Sequence, residues 1–264
     1  MFQFPNINPV AIDFGLIKIS WYALSYVAGI LSCWYLILKI VIIKKININN
    51  TILNDLVSNC MIGIIVGGRL GYVIFYNPEY YFNNFIEILK IWNGGMSFHG
   101  GLIGVIFAII YSSKTSKVPI IMFSDLISVV SPIGLFFGRI ANFINGELFG
   151  RTTNHHFGMI FPNGGKVPRH PSQLYEAFFE GLVLFLIMII LMNKPNIFEK
   201  RGFLTSVFIF FYGIFRFFIE FLREPDGHIG LIYFKFSMGQ ILSIPMIIAG
   251  LYFMIISYNK KLEY

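Results

Sequence analysis

Seven long apolar stretches constrain this chain more than any other feature, because each approaches the ~20 residues that a helix needs to cross a bilayer. With soft edges they are Ile19–Leu38, Asp55–Tyr76, Met96–Ser112, Phe123–Phe143, Leu174–Met192, Phe203–Leu222 and Met238–Ser257, the third being short. Backbone in hydrocarbon must satisfy its own hydrogen bonds, so the stretches predict helices. Charged residues make up 12% of the chain and hydrophobic residues 56%, whereas a soluble domain is about 25% charged. The expected fold is an all-α polytopic membrane protein with seven transmembrane helices. Residues 1–264 are expected to form a single membrane-embedded domain, and no internal repeat is visible. The longest connection, Ile144–Gln173, is rich in Gly, Pro, Asn and His and predicts a small external cap. Met1–Lys18 lacks a basic start followed by an apolar core, so no cleavable signal peptide is expected.

Loop charges orient the bundle. One set of connections holds Lys39, Lys44, Lys45, Lys114, Lys117, Lys194, Lys200, Arg201, Lys260 and Lys261. Basic residues in the other set are spread out and offset by Asp13, Glu79, Glu87, Glu147, Glu224 and Asp226. The N-terminus is therefore expected outside and the C-terminus in the cytoplasm. The net charge of +7 is read as a topology signal, with no nucleic-acid partner.

Three arginines, Arg69, Arg139 and Arg216, fall inside the apolar stretches. A guanidinium in hydrocarbon is expensive, so it turns to a protein interior and marks a substrate or ion path. All three lie roughly 20–24 Å along helices that run outward. Tyr22, His99 and Glu176 lie within the first residues of helices that run inward. Six helices are thus expected to deliver polar groups to the outer half of the membrane.

The motifs around these residues admit a structural and a functional reading. Gly63, Gly67 and Gly71 form a small-residue stripe that suits close helix packing and holds Arg69 inward. Tyr212, Arg216, Glu220 and Arg223 share one helical face, with Arg216 and Glu220 spaced i,i+4. That pair either seals the bundle or serves a site; snorkelling to the surface is a third possibility, and it suits Arg223 better than Arg216. Gly138-Arg139-Ile-Ala-Asn142-Phe-Ile-Asn145-Gly146-Glu147 closes a helix and leads to Gly150. A guanidinium with amides at such a junction suits a phosphate oxyanion, although a packed turn would use the same residues. His99, before Gly100 and Gly101, is either a structural interfacial residue or a general base. Arg169-His170-Pro171-Ser172-Gln173-Leu174-Tyr175-Glu176 opens a helix and is partly a capping element. Cys33 and Cys60 lie in apolar stretches and are expected to be packing residues. No zinc-ligand spacing is present.

The run from Gly138 to Glu147 resembles the signature of bacterial prolipoprotein diacylglyceryl transferases. Ser20-Trp21-Tyr22, Gly67-Gly68-Arg69-Leu-Gly71-Tyr72, Met96 to Gly101, Arg169 to Glu176, Tyr212 to Glu220 and Ser237-Met-Gly-Gln240 match in the same order. The resemblance covers nearly the whole chain. It implies an inner-membrane enzyme that moves the diacylglyceryl group of phosphatidylglycerol onto a lipobox cysteine of a prolipoprotein. A thioether would form and glycerol 1-phosphate would leave, with no metal or cofactor. By motif, His99, Arg139 and Arg216 correspond to catalytic positions. Arg139 also corresponds to the lipid-binding arginine, and Tyr22, Asn142, Glu147 and Gly150 to other functional positions. With Arg69, Asn145, Tyr212 and Glu220 these complete the expected substrate-binding set. The segment from Thr152 to Pro168 is shorter than in many relatives, which bears on precursor recognition.

Two other classes compete. A transporter with an arginine-lined path would explain buried guanidiniums, but no inverted repeat is visible. An intramembrane protease would need a Gly-x-Ser-x-Gly, paired aspartates or a His-Glu-x-x-His, and none is present.

Overall fold

The computed structural model describes residues 2–5, 7–15, 18–225, 232 and 236–259. Lys260, Lys261 and Asp226, used above for orientation, lie outside them. The chain divides into two compact units, Met1–Cys33 with Asp125–Tyr264, and Trp34–Ser124.

Helices dominate: α1 (Trp21–Ile43), α2 (Asn50–Phe75), α3 (Pro78–Asn83), α4 (Phe85–Ile88), α5 (Phe98–Ser116), α6 (Ile120–Ile144), α7 (Ser172–Met192), α8 (Phe203–Ile219) and α9 (Met238–Asn259). Five are long and apolar enough to cross a membrane, namely α1, α2, α6, α7 and α9. The expected third and sixth stretches coincide with α5, of 19 residues, and α8, of 17. The protein is a multi-pass membrane protein. Its outward-facing Ile, Leu and Phe side chains suit lipid, which is as apolar as they are.

In the second unit, α2 and α5 pack backbone to backbone. A Cβ on Gly67 would meet the Gly100 carbonyl, and one on Gly63 would lie 2.5 Å from the Gly104 carbonyl oxygen. Only glycine allows so close an approach, so the small-residue stripe is a packing seam. Ser97 joins the pair: its N–H donates to the Gly68 carbonyl at 2.8 Å, and its Oγ caps α5 by accepting from Gly100 N. Helix α5 ends at Lys117 in the left-handed region, φ 61°, two residues before Pro119. The short helices α3 and α4 have no counterpart among the expected elements.

In the first unit, α8 borrows its N-terminal cap from α6. The Asp125 carboxylate accepts from Gly202 N at 2.7 Å, Thr205 N at 2.8 Å and Thr205 Oγ1 at 2.7 Å, satisfying donors that a helix start leaves free. Residues 144–173 fold together with the N-terminal segment into one small cap. Strand β1 (Phe2–Gln3) pairs in parallel with β4 (Met159–Ile160), while β2 (Val10–Asp13) and β3 (Lys18–Ser20) form an antiparallel pair. Phe4 sits 5.4 Å from both Phe143 and Phe161, and Phe161 is buried.

Candidate functional site

The turn after α6 explains the Gly138–Glu147 run locally. Gly146 adopts φ 63°, its N–H donates to the Phe143 carbonyl, and the Glu147 N–H reaches back to the Asn142 carbonyl. This is a glycine-terminated helix end that satisfies its own carbonyls. It returns the Glu147 side chain over the last turn, where Oε1 accepts from Asn142 Nδ2 at 2.8 Å and Asn145 Nδ2 at 3.5 Å. The start of α7 grips the same turn: Gln173 Nε2 donates to the Glu147 carbonyl and Ser172 Oγ to that of Leu148. Gly150 is a crossing point, because its N–H donates to the His170 carbonyl and a Cβ there would meet the Leu222 carbonyl. Asn142, Asn145, Glu147 and Gly150 therefore fix the end of α6, and with it Arg139.

Arg139 enters a buried charged cluster. Its Nε lies 2.7 Å from Glu176 Oε2 and its Nη2 3.3 Å from Glu180 Oε2, both on α7. Arg216 on α8 pairs closely with Glu220 Oε1 and stands 3.5 Å from Glu176 and 3.7 Å from Glu180. Arg223 Nη1 donates to Glu176 Oε1 at 2.8 Å. Glu176 and Glu180 have no solvent exposure, while the side chains of Arg139 and Arg216 retain 15% and 16%. Charges so deep survive only when paired. Tyr212, one turn before Arg216, is also buried and faces Glu180, Arg216 and Arg139.

Two glycines allow this convergence. A Cβ on Gly181 would lie 2.7 Å from Phe136 Cβ, so α7 can press against α6 beside Glu180. A Cβ on Gly239 would lie 2.5 Å from the Glu220 carboxylate. Helix α9 therefore starts against Glu220, and Ser237 Oγ donates to Glu220 Oε2 at 2.6 Å. Ser237 and Gln240 cap α9 reciprocally, each side chain accepting from the other's N–H, which accounts for the Ser-x-x-Gln spacing. By contrast, a Cβ on Gly134 or Gly138 would meet none of the described residues within 4 Å.

The structure brings Arg139, Arg216, Tyr212 and Glu220 together and sets Asn142, Asn145, Glu147 and Gly150 at the adjoining turn. Tyr22 lies on α1, edge to face with Tyr26 at 5.2 Å. Two other residues belong to the second unit. His99 stands exposed in the first turn of α5, edge-on to Phe98 at 5.7 Å. Arg69 is buried, and its donors go to main-chain carbonyls: Nε to Ile88, Nη1 to Gly94 and Gly95, Nη2 to Glu87 and Lys90. Its guanidinium also lies 5.1 Å from the Tyr81 ring centroid. Arg69 thus organises the connection around α4, and this geometry leaves it no donor for a substrate. Arg223 departs from expectation. It does not snorkel but turns into the cluster, where Glu176 compensates it.

The reading from sequence missed Glu180 and understated Glu176. The available signal was the one applied to the arginines: Glu180 is an ionisable residue inside an apolar stretch, four residues after Glu176. A π-helical segment, Ala177–Val183, surrounds it, and such segments are frequent at functional sites. Cys33 donates to the Val130 carbonyl at 3.3 Å and Cys60 is buried on α2, as packing residues would be. Among the described residues, no group of three or more His, Cys, Asp or Glu is arranged to hold a metal ion.

Apolar spanning helices around a desolvated arginine–carboxylate centre define an integral membrane protein with an ionic site in its helix bundle. The family model described as prolipoprotein diacylglyceryl transferase matches residues 9–256, and the chain belongs to that family. It is 53% identical over 258 residues to the phosphatidylglycerol–prolipoprotein diacylglyceryl transferase of Rickettsia felis, covering 98% of this chain and 99% of that protein. It is 56% identical over 247 residues to the enzyme of the same name from Rickettsia canadensis, covering 94% and 95%.

Proposed function

We propose that this chain transfers the diacylglyceryl group of phosphatidylglycerol to the thiol of a lipobox cysteine, the first step of lipoprotein maturation. The observation that carries the reading is the convergence of Arg139 and Arg216 on shared carboxylates inside apolar helices, in a chain of this family. The lipid phosphate is an anion in low dielectric, and two guanidiniums match its oxygens in charge and geometry. The cysteine sulfur attacks the diacylglyceryl carbon bound to the phosphate oxygen. A carbon–sulfur bond forms, the carbon–oxygen bond breaks, and its electron pair leaves on glycerol 1-phosphate. Negative charge on that phosphate grows along the way, so Arg139 and Arg216 stabilise the transition state more than the bound lipid. The thiol proton passes to His99, which corresponds by motif to a catalytic histidine of the family and can act as a general base near neutral pH. Tyr212 and Glu220 orient the arginines, Tyr22 helps orient the lipid, and the turn from Asn142 to Gly150 fixes Arg139.

We also propose one catalytic domain of seven spans, N-terminus outside, C-terminus cytoplasmic, with the reaction on the outer side of the inner membrane. The loop-charge asymmetry and the two shorter helices α5 and α8 support this count. The test is mass spectrometry of a lipobox peptide incubated with the purified chain and phosphatidylglycerol. A diacylglyceryl adduct on the cysteine is expected. Lipid binding with no adduct would favour a transporter.

A further inference from the structure

The charged cluster is balanced: Arg139, Arg216 and Arg223 face Glu176, Glu180 and Glu220. A phosphodiester lipid adds a fourth negative charge. An unmatched charge inside an apolar bundle is strongly disfavoured, so one carboxylate must give way. Glu176 and Glu180 have no exposure and Glu220 has 4%, so none can turn to water without opening the helices. The remaining route is to take up a proton.

The three carboxylates are not equally held. Glu176 is bound by Arg139 at 2.7 Å and Arg223 at 2.8 Å, with Arg216 at 3.5 Å. Glu220 pairs closely with Arg216 and accepts from Ser237 at 2.6 Å. Glu180 has no approach under 3.3 Å: Arg139 Nη2 lies at 3.3 Å and Arg216 Nη1 at 3.7 Å, whereas Glu176 and Glu220 each have a contact below 3 Å. Those two contacts occupy Nη2 of Arg139 and Nη1 of Arg216, the two guanidiniums that the proposed phosphate would share. The groups facing Glu180 are Arg139 from α6, Arg216 and Tyr212 from α8, Arg223 beyond its end, and Glu176 on its own helix. Helix α9 contributes Ser237 to Glu220.

We infer that Glu180 is a displaceable counter-ion: it competes with the lipid phosphate for Arg139 and Arg216, and yields by taking up one proton from water as the lipid binds. Glu180 is then a positioning residue, setting how many negative charges the arginines accept at once. The inference rests on the function proposed above.

The test is calorimetry of short-chain phosphatidylglycerol binding to the full chain in detergent micelles, across pH and in two buffers of different ionisation enthalpy. The wild type should take up one proton per lipid, and its Kd should rise about tenfold per pH unit between the ionisations of the free and bound forms. Glu180→Gln should remove both the proton uptake and the pH slope while still binding. Infrared difference spectra provide a second readout. Lipid should bring up a protonated-carboxyl band in the wild type, and Glu180→Asp should shift it. A wild type that transfers diacylglyceryl but binds lipid without proton uptake, or whose carboxyl band ignores both substitutions, overturns the inference and leaves the function standing. A wild type that neither binds phosphatidylglycerol nor modifies the peptide overturns both.

Discussion

Replacing Glu176 by glutamine tests the architecture of the cluster most severely. The carboxylate has no exposure and makes two short contacts, 2.7 Å to Arg139 and 2.8 Å to Arg223. The hydrogen bond from Arg223 to this charged group contributes about 1.5–3 kcal/mol, and Arg139 adds an ion pair. Glutamine keeps one acceptor oxygen but leaves three buried arginines facing two carboxylates. Removing one partner of a buried ion pair destabilises by about 3–5 kcal/mol, and the acceptor that glutamine keeps sets the loss at the lower end. At about 2–4 °C per kcal/mol for a chain near this size, a loss of about 3 kcal/mol lowers Tm by about 6–12 °C. Thermal unfolding in detergent, followed by tryptophan fluorescence, would measure it. Glu180→Gln leaves the same charge imbalance but gives up only contacts of 3.3 and 3.7 Å, so it should lose less. The exposed Glu199→Gln sets the baseline. If Glu176→Gln melts with that control, or if Glu180→Gln proves the more damaging change, the ranking of the carboxylates is wrong.

Arg139→Lys keeps the charge but cannot span Glu176 and Glu180 or hold two phosphate oxygens, so peptide modification should slow by about 10²–10³; a loss under tenfold would argue against transition-state contact. Gly67→Ala places a Cβ against the Gly100 carbonyl and 3.0 Å from Gly104 Cα. Overpacking of this kind costs about 1–3 kcal/mol, to be read as a drop in Tm, and an unchanged Tm would contradict the seam. In the cap, burial and then the neighbouring His155 hold the His170 imidazole below its usual range. The folded state therefore resists protonation there, and its stability falls as pH drops through about 6.5, where the unfolded chain binds the proton. Limited proteolysis of the 152–168 segment should accelerate below that pH, and less so in His155→Gln; equal acceleration in both would remove His155 as a cause.

The spanning helices were legible in the sequence because hydrocarbon thickness and backbone hydrogen bonding leave a ~20-residue apolar stretch few alternatives. The strands were not, since pairs of two to four residues carry no readable period. Helices α3 and α4 are equally short. Helix α4 and the connection after it stand where they do because Arg69 collects the carbonyls of Glu87, Ile88, Lys90, Gly94 and Gly95, a tertiary arrangement. The same distinction runs through the charged centre. Burial of Arg139 and Arg216 followed from their apolar surroundings, and the Arg216–Glu220 pair from i,i+4 spacing. The sharing of Glu176 by three arginines from two other segments followed from neither. It depends on Gly181 letting α7 approach Phe136 and on the turn at Gly146. Arg223 was misjudged because its place near a helix end suggested water, while its partner lay 47 positions away.

Whether Arg139 and Arg216 hold the phosphate of the lipid is tested most directly by a crystal structure of the chain with a non-reactive phosphatidylglycerol analogue whose phosphate carries a sulfur for unambiguous placement. The phosphorus is expected between the two guanidiniums, within hydrogen-bonding reach of both, with Glu180 turned aside and Glu176 still on Arg139 and Arg223. A headgroup resting elsewhere, with Glu180 still bridging Arg139 and Arg216, would contradict that placement.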